Sequence, residues 1–147
     1  MNETLVTVVG SLTADPQVKF LEDGTMLCRF TVATTPRLFE RTSGAWHDGN
    51  PVFLNCSVWR RYAENTAASL SKGTRVIVTG ELRQRRYTDA RGASRTVVDL
   101  RVHEVAPSLK WAVAEVDRWG ADQGRDPRPA VPAPRAEDAQ APRHVPP

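Results

Sequence analysis

The chain has 147 residues, 40% hydrophobic and 25% charged, with a net charge of +3. That is room for one ordinary domain with a buried core, and no apolar run approaches the roughly 20 residues of a membrane-crossing helix. The opening MNETLVTVVG has no basic stretch before its apolar residues, so no secretory leader is expected and the cytoplasm is the expected location.

In chain order, LVTVVGSL (Leu5 to Leu12) is β-rich and broken by Gly10; a glycine inside a strand marks a bulge or a close backbone approach. Asp15-Pro16 turns the chain into a short extended piece, QVKFL, and Asp23-Gly24 signals a hairpin. The strand TMLCRFTVATT puts Cys28, Phe30 and Val32 on one face and ends before Pro36. Residues 36–50 read as a polar loop holding Leu38, Phe39 and Trp46. In the next strand, period-2 alternation puts Phe53, Asn55, Ser57 and Trp59 on one face and Leu54, Cys56 and Val58 on the other. A short helix follows, with Ala63, Ala67 and Leu70 at i, i+4 and i+7 and Gly73 at its C′ position. RVIVTGELRQRRY is the fourth main strand, on which Arg83, Arg85 and Tyr87 share a parity next to Arg86. DARGAS is a hairpin tip, and TVVDLRVHEV returns as the fifth strand with Val98, Leu100 and Val102 on one face. PSLKWAVAEV reads as a further extended segment.

From Gly120 the tail holds seven of the chain's 11 prolines and little that could pack, so it is expected to be disordered. Five strands with a short helix between the third and fourth give an all-β OB-fold, a partly open five-stranded Greek-key barrel. The expected organisation is an OB domain over residues 1–117 and a Pro/Ala/Arg-rich tail over 118–147.

The face carrying Phe53 and Trp59 has aromatics at its ends and small polar residues between, a poor pattern for a core. Residues 1–119 hold 16 Lys/Arg against 13 Asp/Glu, and much of that surplus clusters between Arg83 and Arg95. Aromatic rings interleaved with arginines suit single-stranded nucleic acid, whose bases stack and whose phosphates want cations. On pattern alone the aromatics serve equally as core, and the arginines as a solvated hairpin. Cys28 and Cys56 lack metal spacing and have inward parity; buried free thiols are expected, with a disulfide as the alternative. His47, His103 and His144 have no partner spacing, and no catalytic motif, metal site or cofactor site is read. An enzyme is not expected.

Over roughly residues 3–116 the chain resembles the bacterial single-stranded-DNA-binding protein family, through VTVVGSLTADPQVKF, RFTVATTPR, LSKGTRVIVTGELRQRRYTD and TVVDLRVHEV in that order. TADP, TVATTPR and PSLKWAVAEV look most like its actinobacterial branch. The resemblance implies a homotetramer that binds and protects single-stranded DNA with little sequence preference, in replication, repair or recombination at the nucleoid. It places base stacking on Phe53, Trp59 and Tyr87; the fourth stacking position falls on Leu38, where Phe39 could take over, with Trp46 a further candidate. It implies phosphate contacts at Arg61, Lys72, Arg83, Arg85 and Arg86, to which Arg37 is added. It implies subunit contacts at Leu54, with Val6 and Val8 as further candidates. Pro107 to Val116 becomes an extra strand clamping subunits, with Leu109, Trp111 and Val113 as its interface candidates. The last residues, RHVPP, lack the family's acidic tip, so weak or altered recruitment of replication and repair proteins by an accessory paralogue is expected. The alternative reading is an oligomeric OB module that binds RNA or protein.

Overall fold

Alternating apolar and polar residues commit most of the chain up to residue 107 to strands. The computed structural model describes residues 2–118. Its elements are β1 (Leu5–Leu12), β2 (Gln17–Phe20), β3 (Met26–Thr34), β4 (Arg37–Glu40), β5 (Ala45–Asp48), β6 (Val52–Trp59), α1 (Arg61–Ser69), β7 (Arg75–Thr88) and β8 (Ser94–Pro107). The main sheet runs β1-β7-β8-β6-β3-β2, and a further β1–β3 pairing closes β1, β7, β8, β6 and β3 into a ring. All pairings in it are antiparallel except β6 with β8, which is parallel. This is the five-stranded OB barrel, with β2 added to the edge of β3.

Closure depends on β1 meeting β3 through two residue pairs, Ser11 with Ala33 and Leu12 with Val32. Gly10 makes that approach possible. A Cβ there would collide with the Ala33 carbonyl oxygen and stand 2.8 Å from Val32 Cγ1. Gly80, at the register shift in β7 against β8, meets the Arg101 carbonyl in the same way. Inside the ring sit Leu12, Cys28, Phe30, Val32, Cys56, Val58, Val76, Val78, Leu100 and Val102, with Ala63 and Leu70 from and beyond the helix. Both thiols are fully buried and unbonded within the protomer, each on the inward face of its strand.

Three details depart from the sequence reading, and the placement of Val6 and Val8 adds to it. The stretch read as a loop, residues 36–50, folds as the β4–β5 hairpin, where Phe39 pairs with Trp46 across the strands at 5.4 Å between ring centroids. Gly73 is not a helix C′ residue: α1 ends at Ser69, and Gly73 (φ 84°) is the third residue of the turn Ser71–Thr74, closed by Thr74 N–H to Ser71 O at 3.0 Å. Val6 and Val8, proposed above as subunit contacts, pack half-buried against the core, and the exposed apolar side chains of β1 are Leu5 and Val9. The expected extra strand after Pro107 does not form within the protomer, because the ladder with β7 runs out at Arg75, whose carbonyl accepts the Ser108 N–H at 2.8 Å. The folded unit ends at Ala114. The expected disorder of the tail concerns residues 119–147, outside those described.

Barrel closure gives a direct test. Gly10→Ala should destabilise the fold by about 1–3 kcal/mol through overpacking against a backbone that cannot retreat. Urea denaturation measures it; an unchanged midpoint would show that β1 and β3 do not meet so closely.

Candidate nucleic-acid interface

The outward parities of β3, β6, β7 and β8 converge on one groove. β3 contributes Arg29 and Thr31, β6 Asn55, Ser57 and Trp59, β7 Arg83, Arg85 and Tyr87, and β8 Asp99 and Arg101. The groove continues past Trp59 to Arg60 at the start of the helix. Its floor is small and polar: Thr31 Oγ1 donates to Asn55 Oδ1 at 2.9 Å across the β3–β6 pair. A flat strand face with a low floor and aromatic walls leaves room for bases to lie against rings.

The cations here are held in place before any ligand arrives. Arg85 Nε donates to Asp99 Oδ2 at 3.0 Å, and Arg83 Nη2 lies 3.2 Å from Glu81 Oε2. The Arg101 guanidinium sits 5.4 Å from the Trp59 ring centroid, in cation–π range. The guanidinium groups are half-exposed while the Glu81 and Asp99 carboxylates are mostly covered, so the pairs orient the arginines and leave their outer N–H groups open to a phosphate. Beyond the barrel, the β7–β8 ribbon ends in a tip organised by Asp89. Its carboxylate accepts from Arg95 Nε at 2.9 Å and from the Arg91 and Ala93 N–H groups, and these contacts, Arg95 foremost, hold it below the usual carboxylate range.

Of the residues proposed from the sequence for stacking, Trp59 and Tyr87 line this groove. Phe53 is on the same face of β6, 61% exposed, six residues or about 20 Å along the strand from Trp59. Phe39 and Trp46 are on the separate β4–β5 hairpin, their rings tilted against each other at 54°. Leu38 and Phe39, neighbours on β4, face opposite sides of the hairpin, Leu38 opposite His47 and Phe39 opposite Trp46. Among the proposed phosphate contacts, Arg83 and Arg85 are in the groove. Arg86 has the opposite parity and lies on the other side of the ribbon. Arg37 pairs with Asp48 at 3.5 Å on the hairpin, and Arg61 with Glu64 at 3.3 Å on α1. Lys72 is in the turn before β7, its N–H bonded at 2.8 Å to Asp15, which borders the groove.

The proposed subunit contacts divide similarly. Leu54 is half-buried against the core, whereas Leu109, Trp111 and Val113 are exposed, Trp111 lying under Arg75 at 4.8 Å. Sequence reasoning passed over Arg29 and Arg101. The signal was present in the outward parity of their strands, but nothing local says that β3 and β8 both flank β6. Glu3, Glu81 and His103 also bring one ligand atom each within 4.8 Å of one another, yet the Glu81 carboxylate is already engaged by Arg83.

Behind the groove, burial raises the Cys28 thiol and pushes the Cys56 thiol up to about 12, with Asp99 adding to the latter. In the unfolded chain both would ionise from about 9. Stability from this source is therefore intact below pH 9 and declines as pH rises toward 12. At pH 8 a thiol reagent should label neither cysteine in the native protein and both in denaturant. Native labelling of either would contradict the buried placement.

Comparison with known proteins gives the groove its context. Residues 2–108 match the Single-strand binding protein family. The chain is 52% identical over 116 residues to the single-stranded DNA-binding protein of Mycolicibacterium smegmatis, covering 79% of this chain and 70% of that protein. It is 50% identical over 123 residues to single-stranded DNA-binding protein 2 of Streptomyces coelicolor, covering 84% and 61% respectively. Among solved structures, the small single-stranded DNA-binding protein from Streptomyces coelicolor superposes with a TM-score of 0.63 at 33% identity, over 74% of this chain and 97% of that one.

Proposed function

The chain belongs to the single-strand binding protein family, and from that premise we propose that it coats single-stranded DNA without marked sequence preference. What supports this reading most is the groove across β3, β6, β7 and β8, where Trp59 and Tyr87 stand among Arg29, Arg83, Arg85 and Arg101. Rings offer a surface to any base, and guanidinium groups meet the phosphates common to all sequences. Groups that read one base edge in a fixed register are not needed for such binding.

Phe53 extends the stacking track along β6. Assembly as a homotetramer is part of the proposal; the exposed apolar side chains Leu5, Val9 and Ile77 on β1 and β7, and Leu109, Trp111 and Val113 after β8, are surfaces that subunits would cover. We place the binding and assembly functions in residues 1–117, and read the protein as a binding protein of replication, repair or recombination rather than an enzyme. Among the described residues no helix is long and apolar enough to cross a membrane. A cytoplasmic, nucleoid-associated protein is in keeping with a DNA ligand.

Trp59→Ala tests the reading. Each stacked base contributes roughly 1–3 kcal/mol, so anisotropy titration of labelled oligo-dT should show binding weakened about fivefold to a hundredfold, with similar losses on oligo-dA and mixed sequences. Unchanged affinity would remove Trp59 from the interface, and a loss confined to one sequence would indicate base readout. Oligo-U should compete less well than oligo-dT at equal salt; equal competition would favour an RNA ligand.

A further inference from the structure

Between β6 and α1 the backbone does something that the residue there resists. Arg60 has φ 63° and ψ −138°, the one positive φ among the described non-glycine residues. Glycine adopts this conformation freely; a residue with a Cβ holds it only when its surroundings impose it. They do so here. The Arg60 N–H donates to the Met26 carbonyl at 2.7 Å, and its own carbonyl accepts the Glu64 N–H at 3.2 Å to open the first turn of the helix. The joint lets the strand end with Trp59 on the groove face and the chain turn at once into α1.

A glycine would make that joint with less strain, so the arginine side chain calls for a reason of its own. Arg60 is exposed and lines the end of the groove with Trp59, Arg83 and Arg101. Arg83 and Arg85 have carboxylate partners, but among the described residues no carboxylate lies within ion-pair distance of Arg60. Asp23, held low mainly by the Thr25 N–H, feels Arg60 only through space. An unpaired guanidinium beside a stacking ring, on a backbone fixed at both ends, is suited to an anion that follows the ring.

We propose that Arg60 is a phosphate-binding residue of the groove, held beside Trp59 by its strained backbone so that a base stacked on that ring has its phosphate met by the guanidinium. The inference rests on the single-stranded-DNA reading and adds to it an anion site at the strand–helix joint. Two substitutions in the full chain separate strain from charge: Arg60→Ala keeps the strain and removes the charge, and Arg60→Gly removes both. Thermal melting and oligo-dT anisotropy over a salt series provide the readouts. Both variants should bind about threefold to tenfold more weakly at low salt. Their log affinity against log salt should flatten by about 0.7 for each phosphate that the side chain no longer neutralises. Arg60→Gly should melt several degrees above Arg60→Ala. Variants that melt together would show the joint to be unstrained, and wild-type affinity and slope in either would show that Arg60 touches no phosphate; each overturns the proposal alone. Failure of the wild-type protein to bind oligo-dT would overturn the underlying reading as well.

Discussion

The short pairing of β1 with β3, Ser11 against Ala33 and Leu12 against Val32, turns a curled sheet into a barrel and seals the core on whose outer side the groove lies. Within that sheet the order β7-β8-β6-β3 sets which outward residues lie side by side. β6 gains β3 on one flank and β8, in parallel, on the other. That brings Arg29, Trp59, Asp99 and Arg101 together from parts of the sequence up to 72 residues apart, counted from Arg29 to Arg101. Closure rests on Gly10, since a side chain there would strike the Ala33 carbonyl. Opening this seam would keep the strand order of the groove and expose the core behind it.

The groove's electrostatics follow a second rule. Its arginines are arranged by weak partners: Asp99 for Arg85, Glu81 for Arg83, the Trp59 ring for Arg101. Such partners orient a guanidinium and leave its outer N–H groups open to a phosphate backbone. Binding built this way depends on charge and stacking, so it tolerates sequence and weakens with salt. The modest net charge of +3 is no obstacle, because the cations are gathered on one face.

Much of the fold was legible locally. The bounds of β1, the inward set Cys28, Phe30, Val32, Cys56 and Val58, and the hairpin at Asp23-Gly24 all follow from alternation and turn chemistry, which act over a few residues. The face of β6 that carries Phe53 and Trp59 was legible for the same reason. Arg29 and Arg101 were not, because parity says which way a side chain points and not which strand lies beside it. β1 has apolar residues on both faces, and only the packed barrel decides that Val6 and Val8 are half-buried while Leu5 and Val9 are exposed. The β4–β5 hairpin escaped notice because its strands are four residues each and its turn, Arg41 to Gly44, lacks the Asp-Gly signal that marks the hairpin after β2. Residues 108–116 carry strand-like residues but form no strand inside one protomer.

Photo-cross-linking of the full chain to oligo-dT, followed by identification of the linked peptides, tests most directly whether the outer groove is where a single strand runs. Links should concentrate on the peptides carrying Trp59 and Tyr87, with Phe53 as the next site along β6. Links confined to Phe39 and Trp46 on the hairpin, or to Trp111 beyond β8, would place the strand elsewhere and contradict the assignment of the groove.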